Sequence, residues 1–268
     1  MEIYLAYSEN YAHLLQRAEA KIIISYGRKH GSNQEVYLPP GFDNFLLDSG
    51  GYQTAMKTQA RDVLIRGYTM WVQFILDKYG EYDKGGLVKG YMGLDTKDWE
   101  ESLNFYEYMS SEGLTPIPVW KAFWPEEILN YLCDKYPWVA VGGIAFGGSK
   151  QDLRDIWERV HLSHPKTKFH MLGVGVRGGF AFKTYRPYSI DVSTWSAPAR
   201  YGMTIVPDKK QVLRETSLPV ELKQKLRDDK AYEAEVVYDA IKILQNLDTL
   251  LDDFQEPSQK DMFIGDGK

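Results

Sequence analysis

The sequence contains a single cysteine, Cys133, among its 268 residues. One thiol cannot form an internal disulfide, and it excludes a zinc site built from several cysteines. The chain also lacks an apolar run of about eighteen residues, which a membrane-spanning helix needs. Its first residues, MEIYLAYSEN, do not have the basic and apolar regions of a signal peptide. We therefore expect a cytoplasmic protein with no metal site, no cofactor and no membrane partner.

Positive charge is not in excess, because the net charge is −5 and the pI is about 5.6. This argues against a protein that coats nucleic acid through a generally basic surface, but it leaves room for a local basic groove. Aromatic residues make up 14% of the chain, with 19 tyrosines and 7 tryptophans. Such a supply would suit both core packing and stacking on nucleobases.

The chain has no internal repeat, but short apolar runs alternate with helical patterns along it. Eight runs have the near-continuous apolar character of parallel strands that are buried on both faces. They are residues 2–7, 21–26, 44–49, 89–94, 115–120, 138–143, 169–174 and 188–193. Helical patterns with capping signals lie between several of the runs, at residues 62–80, 96–113, 125–136 and 150–164.

Strands that alternate with helices predict a parallel α/β sheet, and eight units predict a closed (β/α)8 TIM barrel. An open, doubly wound sheet has the same spacing and remains the alternative. After the eighth run, a charged segment at 207–230 precedes a long helix at 232–254, which we expect to pack on the barrel. We predict one barrel domain over residues 1–256, followed by a tail over 257–268.

Acids and glycines follow the carboxyl ends of the predicted strands, where barrels carry their catalytic side chains. Asp48 ends the third run in the sequence DSGG, Asp95 follows the fourth run, and Asp191 lies in the eighth. A single acid at a strand end is usually a turn or capping residue. Three acids on one rim, beside glycines that let a ligand approach the backbone, indicate an active site. Paired carboxylates suit chemistry at the anomeric carbon of a sugar.

Three motifs occur in a defined order: DSGGYQ at 48–53, VAVGGIAFG at 139–147 and HMLGVG at 170–175. Together they resemble the tRNA-guanine transglycosylase family, barrel enzymes that exchange a guanine in nucleic acid for a 7-deazaguanine. The resemblance covers about residues 44–205 and implies that Asp48 is the general acid/base and Asp191 the covalent nucleophile. It also implies a base-binding set of Ser49 beside Asp48, Tyr52 as stacking ring, Asp95 at the Watson–Crick edge, Gly142 and Gly143 as backbone donors, and Leu172 under the base.

The chain departs from this family in three respects. The family's zinc site of three cysteines and a histidine is absent, and so is a separate RNA-binding domain. The base-reading glutamine is replaced by Trp120 or Lys121. The resemblance is therefore strongest to the reduced, DNA-acting transglycosylases, which favours DNA over tRNA as the partner and a free nucleobase as second substrate. The basic residues expected on the rim loops to contact phosphates are Arg177, Lys183, Arg186 and Arg200.

Other functions remain open at this stage. A glycosylase that removes a modified base in repair or anti-phage defence would use the same acids and leave an abasic site. A non-catalytic barrel that binds nucleic acid, or an unrelated glycoside hydrolase, is also compatible with the fold. The spacing GVGVRGG at 173–179 precedes a poor helix, so we do not interpret it as a dinucleotide site. His170 lies inside a predicted strand and is interpreted as a core residue.

Overall fold

The computed structural model describes residues 1–26, 41–50, 61–143, 150–173, 181–208 and 212–253. Eight parallel strands in these ranges form one sheet, and each of them overlaps a predicted run. They are β1 (Glu2–Ala6), β2 (Lys21–Ser25), β3 (Phe45–Asp48), β4 (Val88–Tyr91), β5 (Val119–Lys121), β6 (Trp138–Gly142), β7 (Lys168–Met171) and β8 (Ser189–Val192).

Helices connect most of these strands, as the periodicity predicts. Those up to β8 are α1 (Ala12–Arg17), α2 (Arg61–Tyr79), α3 (Trp99–Ser111), α4 (Glu126–Lys135) and α5 (Lys150–Ser163). Those after β8 are α6 (Ala197–Tyr201), α7 (Val220–Asp228), α8 (Lys230–Gln245) and α9 (Leu247–Asp253). Short 3₁₀ turns span Glu9–Tyr11, Tyr82–Lys84 and Thr194–Ser196. No helix in the described ranges is long and apolar enough to cross a membrane.

The sheet closes on itself. Its hydrogen-bonded order is β4-β3-β2-β1-β8-β7-β6-β5, so β4 and β5 are the two ends of the series. Backbone hydrogen bonds also join these ends: Gly93 N–H donates to the Ile117 carbonyl (2.7 Å), and Ile117 N–H donates to the Tyr91 carbonyl (2.8 Å). The (β/α)8 prediction is confirmed, since an open doubly wound sheet would leave both edges unpaired.

Side-chain alternation along the strands separates two apolar layers. One layer fills the barrel and consists of Tyr4, Ala6, Ile23, Leu46, Met92, Ile117, Val119 and Ala140. The larger layer lies between the strands and the surrounding helices, and includes Leu5, Phe45 and Trp157. Polar side chains that face the barrel axis can therefore emerge only above or below the inner layer.

The part of the chain after β8 differs from its prediction in two respects. Strands β9 (Met203–Asp208) and β10 (Val212–Ser217) pair antiparallel, where we expected only a charged segment from 207 onwards. The long predicted helix is divided into α8 and α9 at Asn246. Helix α8 packs against α1 and β1, so the expected C-terminal helix on the barrel is confirmed. The predicted tail lies outside the described residues.

Candidate active site

Strand β3 ends at Asp48, and the turn after it holds the carboxylate in place. Ser25, at the end of the neighbouring β2, donates a hydrogen bond from Oγ to Asp48 Oδ2 (2.7 Å). The backbone of Gly50 also donates to this carboxylate. Gly50 has φ +64°, and a Cβ here would lie 2.3 Å from the carbonyl oxygen of Tyr26, so only glycine fits.

The environment of Asp48 disfavours its charged form. Burial raises its pKa to about 6 from the ordinary 3.8, while the Ser25 hydroxyl opposes the shift. The negative charges of Asp191 and Asp95 raise it further. An acid with a pKa near 6 can both release and accept a proton close to neutral pH, as general acid/base catalysis requires.

Asp95 lies in a different environment, because it is paired. Lys121 at the end of β5 places its Nζ 2.7 Å from Asp95 Oδ2, and both side chains are largely buried. The Lys121 ammonium also donates to the carbonyl oxygen of Thr96. Ser49 Oγ donates to Asp95 Oδ1 (3.3 Å). Asp95 and Lys121 thus present an acceptor and a donor side by side.

Asp191 is held by β7 and the turn that follows it. The Gly173 N–H donates to Asp191 Oδ1 (2.7 Å). The Nε2 of His170 lies 3.5 Å from the same oxygen, and its Nδ1 is 2.8 Å from Ser189 Oγ. The prediction that His170 is buried in the core is confirmed, since its side chain has 0% exposure.

The three acids belong to one electrostatic unit. The charges of Asp191 and Asp95 both act on Asp48. Burial raises the pKa of the Tyr68 phenol, and the charges of Asp48 and Asp95 raise it further. This phenol donates a hydrogen bond to the Met92 carbonyl (2.5 Å). The structure therefore brings together Asp48, Asp95 and Asp191 above the inner layer of the barrel. No group of three His, Cys, Asp or Glu side chains that could hold a metal ion occurs in the described ranges.

The glycines at the end of β6 border the same site. A Cβ on Gly142 would lie 3.2 Å from Val119 Cγ1 and 3.5 Å from Leu172 Cδ1. Gly143 has φ +77°, and a Cβ there would lie 3.0 Å from Phe123 Cε1 and 3.3 Å from Lys121 Cβ. The backbone at the end of β6 therefore passes close to Leu172 at Gly142 and to Lys121 at Gly143.

Trp120 does not face this site, so its predicted role in base binding is wrong. It is 1% exposed and packs in the layer between strands and helices, where its indole N–H donates to the carbonyl of Pro125 (3.2 Å). Its neighbours on β5 point the other way: Val119 is in the inner layer and Lys121 contacts Asp95. Of the two candidate replacements for the base-reading glutamine, only Lys121 reaches the acids.

The predicted phosphate contacts are only partly on the rim. Arg186 precedes β8 and pairs with Asp248 (3.0 Å) and Asp252 (2.5 Å) of α9, where Asp248 is also 3.5 Å from the amino group of Met1. This is the amino end of the strands, so the expected rim position of Arg186 is wrong. Arg200 is exposed on α6, which follows the carboxyl end of β8.

Three other predicted site residues are Lys183, Tyr52 and Arg177. Lys183 is partly buried in the connection before β8. Tyr52 and Arg177 lie outside the described residues.

The sequence reasoning missed several polar or aromatic groups at this site. Ser25 could have been found, because it ends a predicted strand on the same rim as Asp48. Phe123 follows Lys121 by two residues and is 58% exposed beside Gly143. Tyr68 lies in the middle of helix α2, where no motif marks it.

Comparisons with known proteins do not assign this chain to a family. The sequence matches no protein-family model and no curated protein. Similar solved structures include tryptophan synthase from M. tuberculosis, at 9% identity over 91% of this chain and 92% of that chain (TM-score 0.39). A protein from Aquifex aeolicus VF5 is 10% identical over 92% of both chains (0.43). The YdjI aldolase from Escherichia coli K12 is 11% identical over 96% and 92% (0.38). The resemblance to the transglycosylases stays a prediction.

Proposed function

We propose that this protein is an enzyme that flips a nucleobase out of DNA, cleaves its N-glycosidic bond and inserts another base. The observation that carries the proposal is the contrast between two acids of one site. Asp48 has a pKa raised to about 6, whereas Asp191 is held by a backbone N–H. Two carboxylates in unlike environments suit the separate tasks of proton transfer and nucleophilic attack.

In the first step, a carboxylate oxygen of Asp191 attacks C1′ of the sugar. The new C1′–O bond forms while the C1′–N bond breaks, and the electron pair of that bond leaves with the base. The protonated form of Asp48 gives its proton to the leaving base. The pKa of about 6 keeps this form accessible near neutral pH.

In the second step, the incoming base gives the proton of its ring N–H to the Asp48 carboxylate. Its nitrogen attacks C1′, the C1′–O bond breaks, and the carboxylate of Asp191 is restored. Water in place of the incoming base would give a glycosylase, which is why the acceptor has to be determined experimentally.

Recognition of the base would rest on the Asp95–Lys121 pair. The carboxylate can accept hydrogen bonds from the ring N–H and amino groups of a guanine-like edge, and the ammonium can donate to a carbonyl oxygen. The exposed ring of Phe123 beside Gly143 offers a surface for stacking. Extruding a base costs a few kcal/mol, which these contacts would offset.

The test is mass spectrometry of nucleosides and free bases. The purified protein would be incubated with DNA and, separately, with tRNA, each with and without a free 7-deazaguanine. Asp48→Asn and Asp191→Ala would run beside the wild type, with Arg186→Ala as a control variant outside the site. We expect release of a base from DNA and incorporation of the added one, by the wild type and Arg186→Ala only.

Other outcomes would change the proposal in defined ways. Release of a base with alkali-labile sites and no incorporation would indicate a glycosylase. Exchange in tRNA but not in DNA would overturn the choice of substrate. If neither nucleic acid loses a base, while Asp191→Ala binds DNA as tightly as the wild type, the protein is a non-catalytic binding barrel.

A further inference from the structure

We infer that His170 is a positioning residue that directs one oxygen of Asp191, Oδ2, toward the sugar. The inference rests on the proposed function, because it concerns the attacking group of that reaction. Neither His170 nor its partner Ser189 has a role in the transglycosylase resemblance. The contacts of the two side chains with Asp191 carry the argument.

The His170 imidazole is fully buried, and only one of its two ring nitrogens has a hydrogen bond. Its Nδ1 lies 2.8 Å from Ser189 Oγ, and both side chains have 0% exposure. Its Nε2 is buried without a hydrogen bond of normal length, and the carboxylate oxygen Oδ1 of Asp191 is 3.5 Å away. A buried ring nitrogen without a partner is costly, so the nearby carboxylate is the group that can satisfy it.

The proton arrangement follows from this geometry. If Nε2 carried only its lone pair, it would face the negative charge of Asp191 and repel it. If Nε2 carries the proton, it points a donor at Oδ1, and Nδ1 can accept a hydrogen bond from the Ser189 hydroxyl. The ring is also packed edge-on against Tyr4, with centroids 6.3 Å apart. Ser189 and Tyr4 thus fix the orientation in which Nε2–H faces Asp191.

The two oxygens of Asp191 are therefore unequal. Oδ1 accepts the Gly173 N–H at 2.7 Å and faces the imidazole, so both of these interactions fall on one atom. Attack through Oδ1 would disrupt them, whereas attack through Oδ2 leaves them intact. Interactions that are already in place before the reaction need no reorganisation during it.

The test combines three variants with a kinetic measurement. His170→Leu removes the donor, and His170→Gln keeps an amide N–H near the position of Nε2. His164→Leu is the matched control, since His164 bonds to Asn130 away from the site. We expect kcat for base release to fall roughly 10- to 100-fold in His170→Leu, the size expected for one hydrogen bond to a charged group. KM for DNA should stay unchanged, and His170→Gln should recover part of the loss.

A second measurement does not depend on catalysis and also separates failure of this inference from failure of the proposed function. The ¹⁵N NMR signals of the histidine rings report which nitrogen carries the proton, and the signals missing from His170→Gln assign those of His170. We expect the Nε2–H form in the wild type at neutral pH. The Nδ1–H form would overturn the inference, whether or not the protein releases a base.

Kinetics can overturn it independently. If His170→Leu is folded and releases bases as fast as the wild type, His170 does not position Asp191. The same conclusion follows if folded His170→Gln is as slow as His170→Leu. If the wild type releases no base at all, the proposed function fails, and the histidine spectrum still decides whether His170 donates to Asp191.

Discussion

Acids face the barrel axis at both of its ends, in opposite surroundings. At the amino ends of the strands, Glu2 accepts hydrogen bonds from Lys89 (2.5 Å), Lys21 (3.0 Å) and Tyr4 (2.8 Å). At the carboxyl ends, Asp48 accepts hydrogen bonds from Ser25 and from the backbone of Gly50, has no cation among these donors, and is near two more carboxylates. The first arrangement neutralises its acid, and the second concentrates negative charge.

The pKa values of the two acids reflect this difference. Burial raises the pKa of Glu2, but the hydrogen bonds from Lys89, Lys21 and Tyr4 outweigh burial and lower the pKa below its usual 4.5. For Asp48, burial prevails and raises the pKa to about 6. An arrangement that works against the stability of the fold is typical of a functional site, whereas a neutralised cluster is typical of a structural one.

The two acids should therefore give opposite dependences of stability on pH. The folded form of Asp48 binds its proton more tightly than the unfolded form, so its contribution is most favourable below pH 3.8 and is lost as pH rises through 6. Glu2 binds its proton less tightly when folded, so its contribution is present above pH 4.5 and is lost as pH falls through the lowered pKa.

The largest effect should come from Asp191→Ala. Loss of the attacking carboxylate should reduce base release at least ~10⁴-fold, as removal of a catalytic nucleophile does in other enzymes. Its thermal stability should stay close to that of the wild type, because the relief of repulsion between Asp191 and Asp48 offsets the loss of the acceptor for the Gly173 N–H and His170 Nε2. Base release is followed by mass spectrometry and unfolding by circular dichroism. Activity within tenfold of the wild type would mean that Asp191 is not the nucleophile.

Asp48→Asn should sharpen the contrast in stability. Replacing the buried carboxylate by a neutral amide should stabilise the protein at pH 7.5, by up to about 3 kcal/mol. The gain should disappear near pH 4, where the wild-type carboxyl is protonated, and base release should be lost at both pH values. Urea unfolding at the two pH values measures this. Equal stability changes at both would contradict a raised pKa at Asp48.

Glu2→Gln should have the opposite effect at the other end of the barrel. Its removal leaves Lys89, which is 15% exposed, and Lys21, which is 38% exposed, without their carboxylate. Because the pairs are only partly buried, we expect a loss of about 1–3 kcal/mol at neutral pH. The loss should shrink in acid, and the folded protein should remain active. If Glu2→Gln lost activity without losing stability, the amino end of the barrel would have a functional role, and the contrast between a structural and a functional end would be wrong.

The smallest effect concerns the arginines. Arg200→Ala on the exposed face of α6 should weaken DNA binding several-fold. It should also reduce by ~1 the slope of the logarithm of the binding constant against the logarithm of salt concentration. Arg186→Ala breaks pairs with Asp248 and Asp252 at the other end, so it should leave the slope unchanged. Fluorescence anisotropy at several salt concentrations compares them. Equal slopes for the two variants would show that Arg200 does not contact a phosphate.

Much of the fold could be predicted because buried parallel strands have a simple pattern. The run at 44–49 is apolar up to Asp48, and it is strand β3. The antiparallel pair of β9 and β10 was missed because it carries charged residues such as Arg214 and Glu215, which interrupt the apolar pattern. The direction of Trp120, in contrast, could have been predicted, because alternate side chains of a strand point to opposite faces of the sheet. Residues 119 and 121 share a face, so Trp120 had to point away from Lys121.

The candidate site was predictable where strand ends defined it and unpredictable where other elements contribute. Asp48, Asp95 and Asp191 follow from the rule that barrel sites lie at carboxyl ends. Arg186 was misplaced because it comes just before a strand and therefore belongs to the opposite end. The contact of His170 with Asp191 depends on the pairing of β7 with β8, which spacing along the chain does not reveal.

The most direct test of the account is to trap the covalent intermediate. DNA would be incubated with the protein in the absence of a free base, quenched in denaturant, and digested for peptide mass spectrometry. We predict a DNA–protein adduct on the peptide that contains Asp191, absent from Asp191→Ala and discharged when a free 7-deazaguanine is added before the quench. Base release by the wild type without an adduct, or an adduct on another residue, would contradict the assignment of Asp191 as the attacking group.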